Sequence, residues 1–113
     1  MQEPTMLILT ALATRPLHGY GIIQAVGTLS DGEVTLRPGT LYGALDRLAD
    51  QSLIAVDREE AVDGRLRRYY RLTDTGAQAL TAEADRLRRR AAAAESQLRT
   101  RAGGLPHALP GTA

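Results

Sequence analysis

A mainly α chain with one small β-hairpin, an α+β fold, is predicted by three observations in these 113 residues. The first is a helical stripe behind a proline: Pro38, then Leu41, Ala44, Leu45 and Leu48. The second is a pair of strand-like runs that meet at Val62-Asp63-Gly64, a tight-turn signal. The third is a long C-terminal stripe, Ala77, Leu80, Ala84, Leu87, Ala91, Ala94 and Leu98, which keeps an unbroken heptad spacing. Helix, helix, helix, hairpin, long helix is the order of a winged helix-turn-helix plus a long C-terminal dimerisation helix.

Pro4 and Thr5 can open the first helix, whose apolar face is Met6, Leu7, Leu9, Ala11, Leu12 and Ala13. Pro16 stops it, because proline lacks a backbone donor and clashes with the preceding turn. Leu17 to Val26 reads as a second helix, apolar at Leu17, Ile22, Ile23 and Val26 and weakened at its start by Gly19 and Gly21. Gly27 to Glu33 is a loop around the turn signal Ser30-Asp31-Gly32, and Val34 to Leu36 a very short strand. Pro38 suits the first turn of the third helix, where its missing N–H costs nothing, and that helix runs to about Gln51. Leu53 to Glu60 and Arg65 to Thr73 then pair as strands. Alternation puts Leu66, Arg68, Tyr70 and Leu72 on one face of the second strand and Arg65, Arg67, Tyr69 and Arg71 on the other. Of the two tyrosines, Tyr70 is expected in the core. Thr73 or Asp74 caps the last helix. The expected organisation is a winged helix-turn-helix domain over 1–73, a dimerisation helix over 74–101 and a disordered, Gly- and Pro-rich tail over 102–113.

Composition narrows the function classes. Hydrophobic content of 43% and charged content of 24% are ordinary for a soluble globular protein. With no cysteine there is no disulfide framework and no thiolate metal site, and no cofactor is expected. No run is long and apolar enough to span a membrane, and the N-terminus lacks the basic start of a signal peptide, so a cytoplasmic location is the simplest expectation. No nucleophile–base pair or metal cluster is recognisable, which argues against an enzyme. The net charge is only +1, yet every one of the 14 basic residues is Arg. A GC-rich genome alone would favour Arg codons. The local cluster is less easily explained that way, because Arg65, Arg67, Arg68 and Arg71 stand in a stretch without an acid.

The segments PLHGYGIIQAV, RPGTLYGALDRLADQSLI and GRLRRYYRLTDTGAQAL together resemble the PadR family of bacterial transcriptional regulators, over roughly residues 6 to 82. The short single C-terminal helix resembles the family's smaller subgroup. The resemblance implies a homodimeric repressor that binds a palindromic operator in double-stranded DNA. In several branches a small aromatic or drug-like effector releases the DNA. Two positions depart from the pattern: Gly21, where an acidic residue usually follows Tyr20, and Gly43, where Pro often follows the tyrosine. The chain has no Trp, so drug sandwiching between tryptophans has no warrant here.

At the start of the third helix, Arg37, Pro38, Gly39, Thr40 and Tyr42 are candidate DNA contacts. A helix N-terminus offers free N–H groups and a positive dipole to phosphate, and its first turn reaches base edges. Tyr42 can equally be a core aromatic, and Thr40 a plain surface hydroxyl. Tyr20 is a candidate phosphate contact or a half-buried packing residue, and His18 a capping or packing residue. Gly64, Arg65, Arg67 and Arg68 form a candidate wing for a minor groove or its phosphates, opposed by the field of Asp57, Glu59, Glu60 and Asp63. Arg71 is expected to pair with an acid or the adjoining helix. The expected dimer interface is Leu7, Leu80, Ala84, Leu87, Ala91, Ala94 and Leu98, and the small residues Ala91 and Ala94 mark a candidate effector gap. Arg88-Arg89-Arg90 reads as a solvated helix face. A winged helix can also serve as a protein-interaction module without touching nucleic acid.

Overall fold

The structure, a computed structural model, describes residues 1–103. Its elements are α1 (Glu3–Ala11), β1 (Leu17–His18), α2 (Gly19–Leu29), α3 (Pro38–Asp50), β2 (Ile54–Val62), β3 (Arg65–Leu72) and α4 (Asp74–Gly103). The chain divides into two compact units, Met1–Thr81 and Ala82–Ala113, with α4 contributing to both. The predicted α+β winged helix-turn-helix with a C-terminal helix is the observed architecture.

In the first unit the three helices close over a core of Ile8, Leu9, Ile22, Val26, Leu41, Leu45 and Ile54, each at most 2% exposed. The face expected for α1 needs correction: Ile8 is fully buried, and Ala13 lies outside the helix and is exposed. The helix ends five residues before Pro16, and the chain after that proline is extended rather than helical. Leu17 and His18 pair with Tyr70 and Tyr69, making an edge strand of a three-stranded antiparallel sheet in the order β1-β3-β2. The third strand therefore comes from the segment expected to open α2. Val34 to Leu36, expected as a strand, has none of that pairing; Val34 N–H instead donates to Ser30 Oγ at 3.0 Å.

Helix α2 runs three residues past the expected end at Val26 because Gly27 is not its terminator. The cap lies further on: Gly32 N–H donates to Gly27 O at 2.7 Å and Asp31 N–H to Thr28 O at 3.2 Å, with Asp31 left-handed at φ 53°. This is a Schellman closure built on aspartate. Helix α3 closes the same way on Ser52, φ 62°, with Leu53 N–H donating to Leu48 O at 3.0 Å. The hairpin turn is the two-residue loop Asp63-Gly64, at φ 51° and 77°, so both strands extend to it and β2 reaches Val62 rather than Glu60. Positive φ at both central residues is what a type I′ turn requires. A bulge between Val56 and Arg58 shifts the register of β2. Tyr70 is buried and Tyr69 half-buried, as alternation predicts.

Thr73 ties the start of α4 to the corner between α3 and β2. Its hydroxyl accepts from Gly76 N–H at 3.0 Å and donates to Ser52 O at 2.6 Å, while its own N–H donates to Leu53 O at 3.1 Å. The first two residues of the expected disordered tail, Ala102 and Gly103, continue the helix, and the rest of that expectation lies outside the described residues. In the second unit α4 carries an i,i+3 pair, Arg86 with Glu83, and another, Arg88 with Asp85 at 2.6 Å. The Arg86 guanidinium holds the Glu83 carboxyl below its usual range.

Candidate nucleic-acid interface

Helix α3 begins with Arg37 as its N-cap residue and Pro38 in the first turn. No side chain caps this end. Leu41 N–H is the first to bond back, to Arg37 O at 2.9 Å, so the N–H groups of Gly39 and Thr40 lie free at the positive end of the helix. Arg37, Pro38, Gly39, Thr40 and Tyr42 are all exposed. One turn in, the buried face of Leu41, Ala44, Leu45 and Leu48 anchors the helix.

Tyr42 is not a core aromatic: its side of α3 is open and the residue is 51% exposed. Its hydroxyl end rests over Gly19, where a Cβ would lie 2.6 Å from the oxygen. Gly19 is thus the seat that holds Tyr42 beside the start of α2, and Tyr20, 64% exposed, stands next to it. Side chains at Gly21 and Gly43 would meet only ordinary contacts, so neither glycine is required by a close approach.

A cleft of 720 Å³ separates the start of α2 and the outer side of α3 from the hairpin. Tyr20 and Tyr42 border it on one side and Arg65, Leu66, Arg67 and Arg68 on the other. His18, Gly19, Asp46, Glu59, Val62, Asp63 and Tyr70 complete its lining. The expected opposition from acids is largely cancelled within the wing itself. Arg58 pairs with Asp57 at 3.0 Å and Glu60 at 3.4 Å, and Arg68 pairs with Glu59 at 2.9 Å. Among the described residues, Arg37, Arg65 and Arg67 form no salt bridge, although Glu60 lies opposite Arg67 in the hairpin and feels its charge. Arg68 is therefore the one candidate wing arginine already committed to an acid. Of the two partners expected for Arg71, an acid or the adjoining helix, no acid pairs with it among the described residues, and the residue is exposed.

The sheet's outer face carries a row that runs across all three strands. His18 of β1 lies opposite Tyr69 of β3, which lies opposite Arg58 of β2. The imidazole meets the Tyr69 ring edge-on at 5.3 Å, and the Arg58 guanidinium lies 3.9 Å from the same ring's centroid. Partial burial and the Arg67 charge hold His18 below its ordinary pKa, while Glu60 pulls the other way. The Tyr69 hydroxyl and Arg58 hold Glu60 below the usual carboxylate range. His18 does no side-chain capping; it packs. Sequence reading singled out Tyr20 in His18-Gly19-Tyr20 and missed that the two residues before it border the cleft.

Of the expected dimer residues, Leu7 and Leu80 are half-buried against the core of the first unit, so only part of each is open. Along α4, Ala84 is half-buried, and Leu87, Ala91, Ala94 and Leu98 are exposed. No helix among the described residues is long and apolar enough to cross a membrane.

A helix-turn-helix with an exposed helix start and a basic hairpin beside it is the architecture of a winged-helix transcriptional regulator. The model of the transcriptional regulator PadR-like family matches residues 8–82, and the chain belongs to that family. Its members are regulators and not enzymes. The chain is 38% identical over 76 residues to the transcriptional regulator YqjI of Escherichia coli, covering 67% of this chain and 35% of that relative. It is 42% identical over 74 residues to the transcriptional regulator Rv3488 of Mycobacterium tuberculosis, covering 66% of this chain and 65% of the relative. A PadR family transcription regulator from Clostridium difficile superimposes with a TM-score of 0.72 at 26% identity, covering 86% of this chain and 99% of that one. The fold is shared with Bacillus subtilis PadR, crystallised in complex with operator DNA, at a TM-score of 0.62 and 20% identity over 96% of this chain and 54% of that one.

Proposed function

We propose that this protein is a cytoplasmic, DNA-binding repressor that acts as a homodimer on a palindromic operator. One observation carries the reading: the exposed tyrosines Tyr20 and Tyr42 border the same cleft as Arg65 and Arg67, neither of which is locked in a salt bridge among the described residues. Each α3 enters a major groove through Arg37, Pro38, Gly39, Thr40 and Tyr42, and the two grooves lie about 34 Å apart. Tyr20 bonds a phosphate, and Gly64, Arg65, Arg67 and Arg68 present the wing to the neighbouring minor groove. Two copies pair through Leu7, Leu80, Ala84, Leu87, Ala91, Ala94 and Leu98. A small aromatic or drug-like effector at the Ala91 and Ala94 level releases DNA by favouring a spacing of the two α3 helices that the operator does not.

Fluorescence anisotropy with DNA from immediately upstream of the protein's own gene, against a scrambled duplex and across a salt series, tests this. Tight, selective binding that weakens steeply with salt is the expected result, because phosphate contacts release counterions. Absence of binding even at low salt would favour a protein-interaction module instead.

A further inference from the structure

Resting on the DNA-binding reading, we propose that His18 is a further phosphate contact of this surface, made in its imidazolium form, so that DNA binding takes up a proton. His18 is half-buried at the edge of the sheet, where it borders the cleft of Tyr20 and Tyr42 while its ring lies with Tyr69 and Arg67 on the sheet's outer face, at the rim of that cleft. Neither ring nitrogen has a hydrogen-bond partner among the described residues, so both N–H groups of an imidazolium are available to an oxyanion. The ring is nevertheless held in place. Tyr69 packs against it edge-on at 5.3 Å, and a Cβ on Gly21 would lie 3.5 Å from its Cε1 and Nδ1.

The charges facing it come from each neighbouring element. From β3 comes Arg67, which is in no salt bridge among the described residues but faces Glu60 across the hairpin. From β2 comes Glu60, already engaged by Arg58. From α2 comes the positive end of the helix, since His18 is its N-cap residue. From α3 come Tyr42 and the Asp46 carboxylate, both of which line the cleft, and the Tyr69 ring against His18 carries the Arg58 guanidinium on it. Partial burial first, and the Arg67 charge second, hold the free imidazole below its ordinary pKa against the pull of Glu60. A phosphate in the cleft reverses the sign, because it neutralises Arg67 and offers an anion to the imidazolium. Free protein then titrates below the ordinary histidine value and the complex above it. Between those two midpoints binding takes up a proton, so affinity rises as pH falls and levels off below the free-protein midpoint.

The test is anisotropy with the upstream duplex from about pH 8 to about pH 5.5 at fixed ionic strength. The Kd is expected to fall by up to about tenfold per pH unit for each protomer engaged. The slope should vanish in His18→Gln and persist in His107→Gln, the variant of the chain's other histidine. Tight binding whose Kd does not vary with pH, or a slope that survives in His18→Gln, overturns the proposal and leaves the DNA-binding reading intact. No binding at any pH overturns both. The wild-type protein supplies an independent readout: the His18 Cε1–H resonance should titrate at a higher pH with the duplex than without it. An unchanged or lowered midpoint refutes the contact, whatever His18→Gln does.

Discussion

At the scale of single residues, the wing divides its arginines into two kinds. Arg68 is held by Glu59 at 2.9 Å, whereas Arg65 and Arg67 are in no salt bridge among the described residues. A phosphate must break the Glu59 salt bridge to reach Arg68, whereas at Arg67 it meets only the more distant Glu60, itself bonded to Arg58. Arg67→Ala should therefore weaken DNA binding and lower the salt slope by close to one counterion per site, about 0.9 in log–log units. Arg68→Ala should change the slope by clearly less. Equal losses from the two would mean that the ion pair opens on binding. Tyr42 has the same kind of discrimination. It is 51% exposed, so Tyr42→Ala should impair DNA binding while the thermal midpoint stays within the small range of a surface change, about 0.5 kcal/mol. His18 also affects the free protein's stability, with the opposite sign to its effect on DNA affinity. Because its folded pKa is lowered, its contribution is present above the ordinary histidine pKa and is lost as pH falls through the folded value. Urea midpoints should decline over that window in wild type, and less in His18→Gln.

Elements were legible from the sequence where their signals are local. The Pro38 helix, the Asp63-Gly64 turn and the burial of Tyr70 depend on neighbours a few residues away, and all three are found in the structure. What could not be read were pairings and close approaches between distant segments. Leu17 and His18 are too few to display alternation, and their partners Tyr70 and Tyr69 lie at the other end of the domain. The seat of Tyr42 on Gly19 is likewise a contact between two helices that no periodicity reports. Gly27 looked like a helix terminator for a different, local reason: the left-handed cap falls on Asp31, a residue that takes that conformation less readily than glycine. Two substitutions test these element-level devices. A Cβ at Gly76 would lie 2.0 Å from Leu53 O and 2.7 Å from Leu72 Cδ1, and the carbonyl cannot move without losing its bond from Thr73 N–H. Gly76→Ala should destabilise the fold by about 1–3 kcal/mol, as other overpacked sites do, seen as a lower urea midpoint. Ser52→Gly should do the reverse. The cap closing α3 holds serine at φ 62°, a conformation that glycine adopts without strain, so a gain of about 0.5–1 kcal/mol is expected. A fall in stability would mean that the left-handed cap is not the source of strain there.

For the whole molecule, the two ends of α4 differ in what they leave exposed. Leu80 packs on the core of the first unit, whereas Leu87 and Leu98 remain 41% and 60% exposed. The helix is 30 residues long, or about 45 Å, and past residue 84 its heptad stripe of Leu87, Ala91, Ala94 and Leu98 lies open to solvent. A narrow apolar seam sustained over that length is the pattern that a second helix covers in a coiled coil. The cleft adds a separate reason for two copies. On the proposed palindromic operator, one copy would offer a single α3 start and a single wing, enough for one half-site, and a palindrome binds tightly only when both halves are engaged together. Leu87→Asp brings both requirements to one measurement. Burying each Leu87 is worth about 1.5–3 kcal/mol, and the two-fold axis counts it twice, so a carboxylate there should drive the protein to monomer in sedimentation velocity. The first unit does not include Leu87 and has its own core, so its helical circular dichroism and cooperative unfolding should persist. Operator affinity should drop by orders of magnitude while weak, salt-sensitive binding to a half-site remains. A variant that still sediments as a dimer would refute the seam. One that becomes monomeric yet keeps full operator affinity would show that the two sites do not act together.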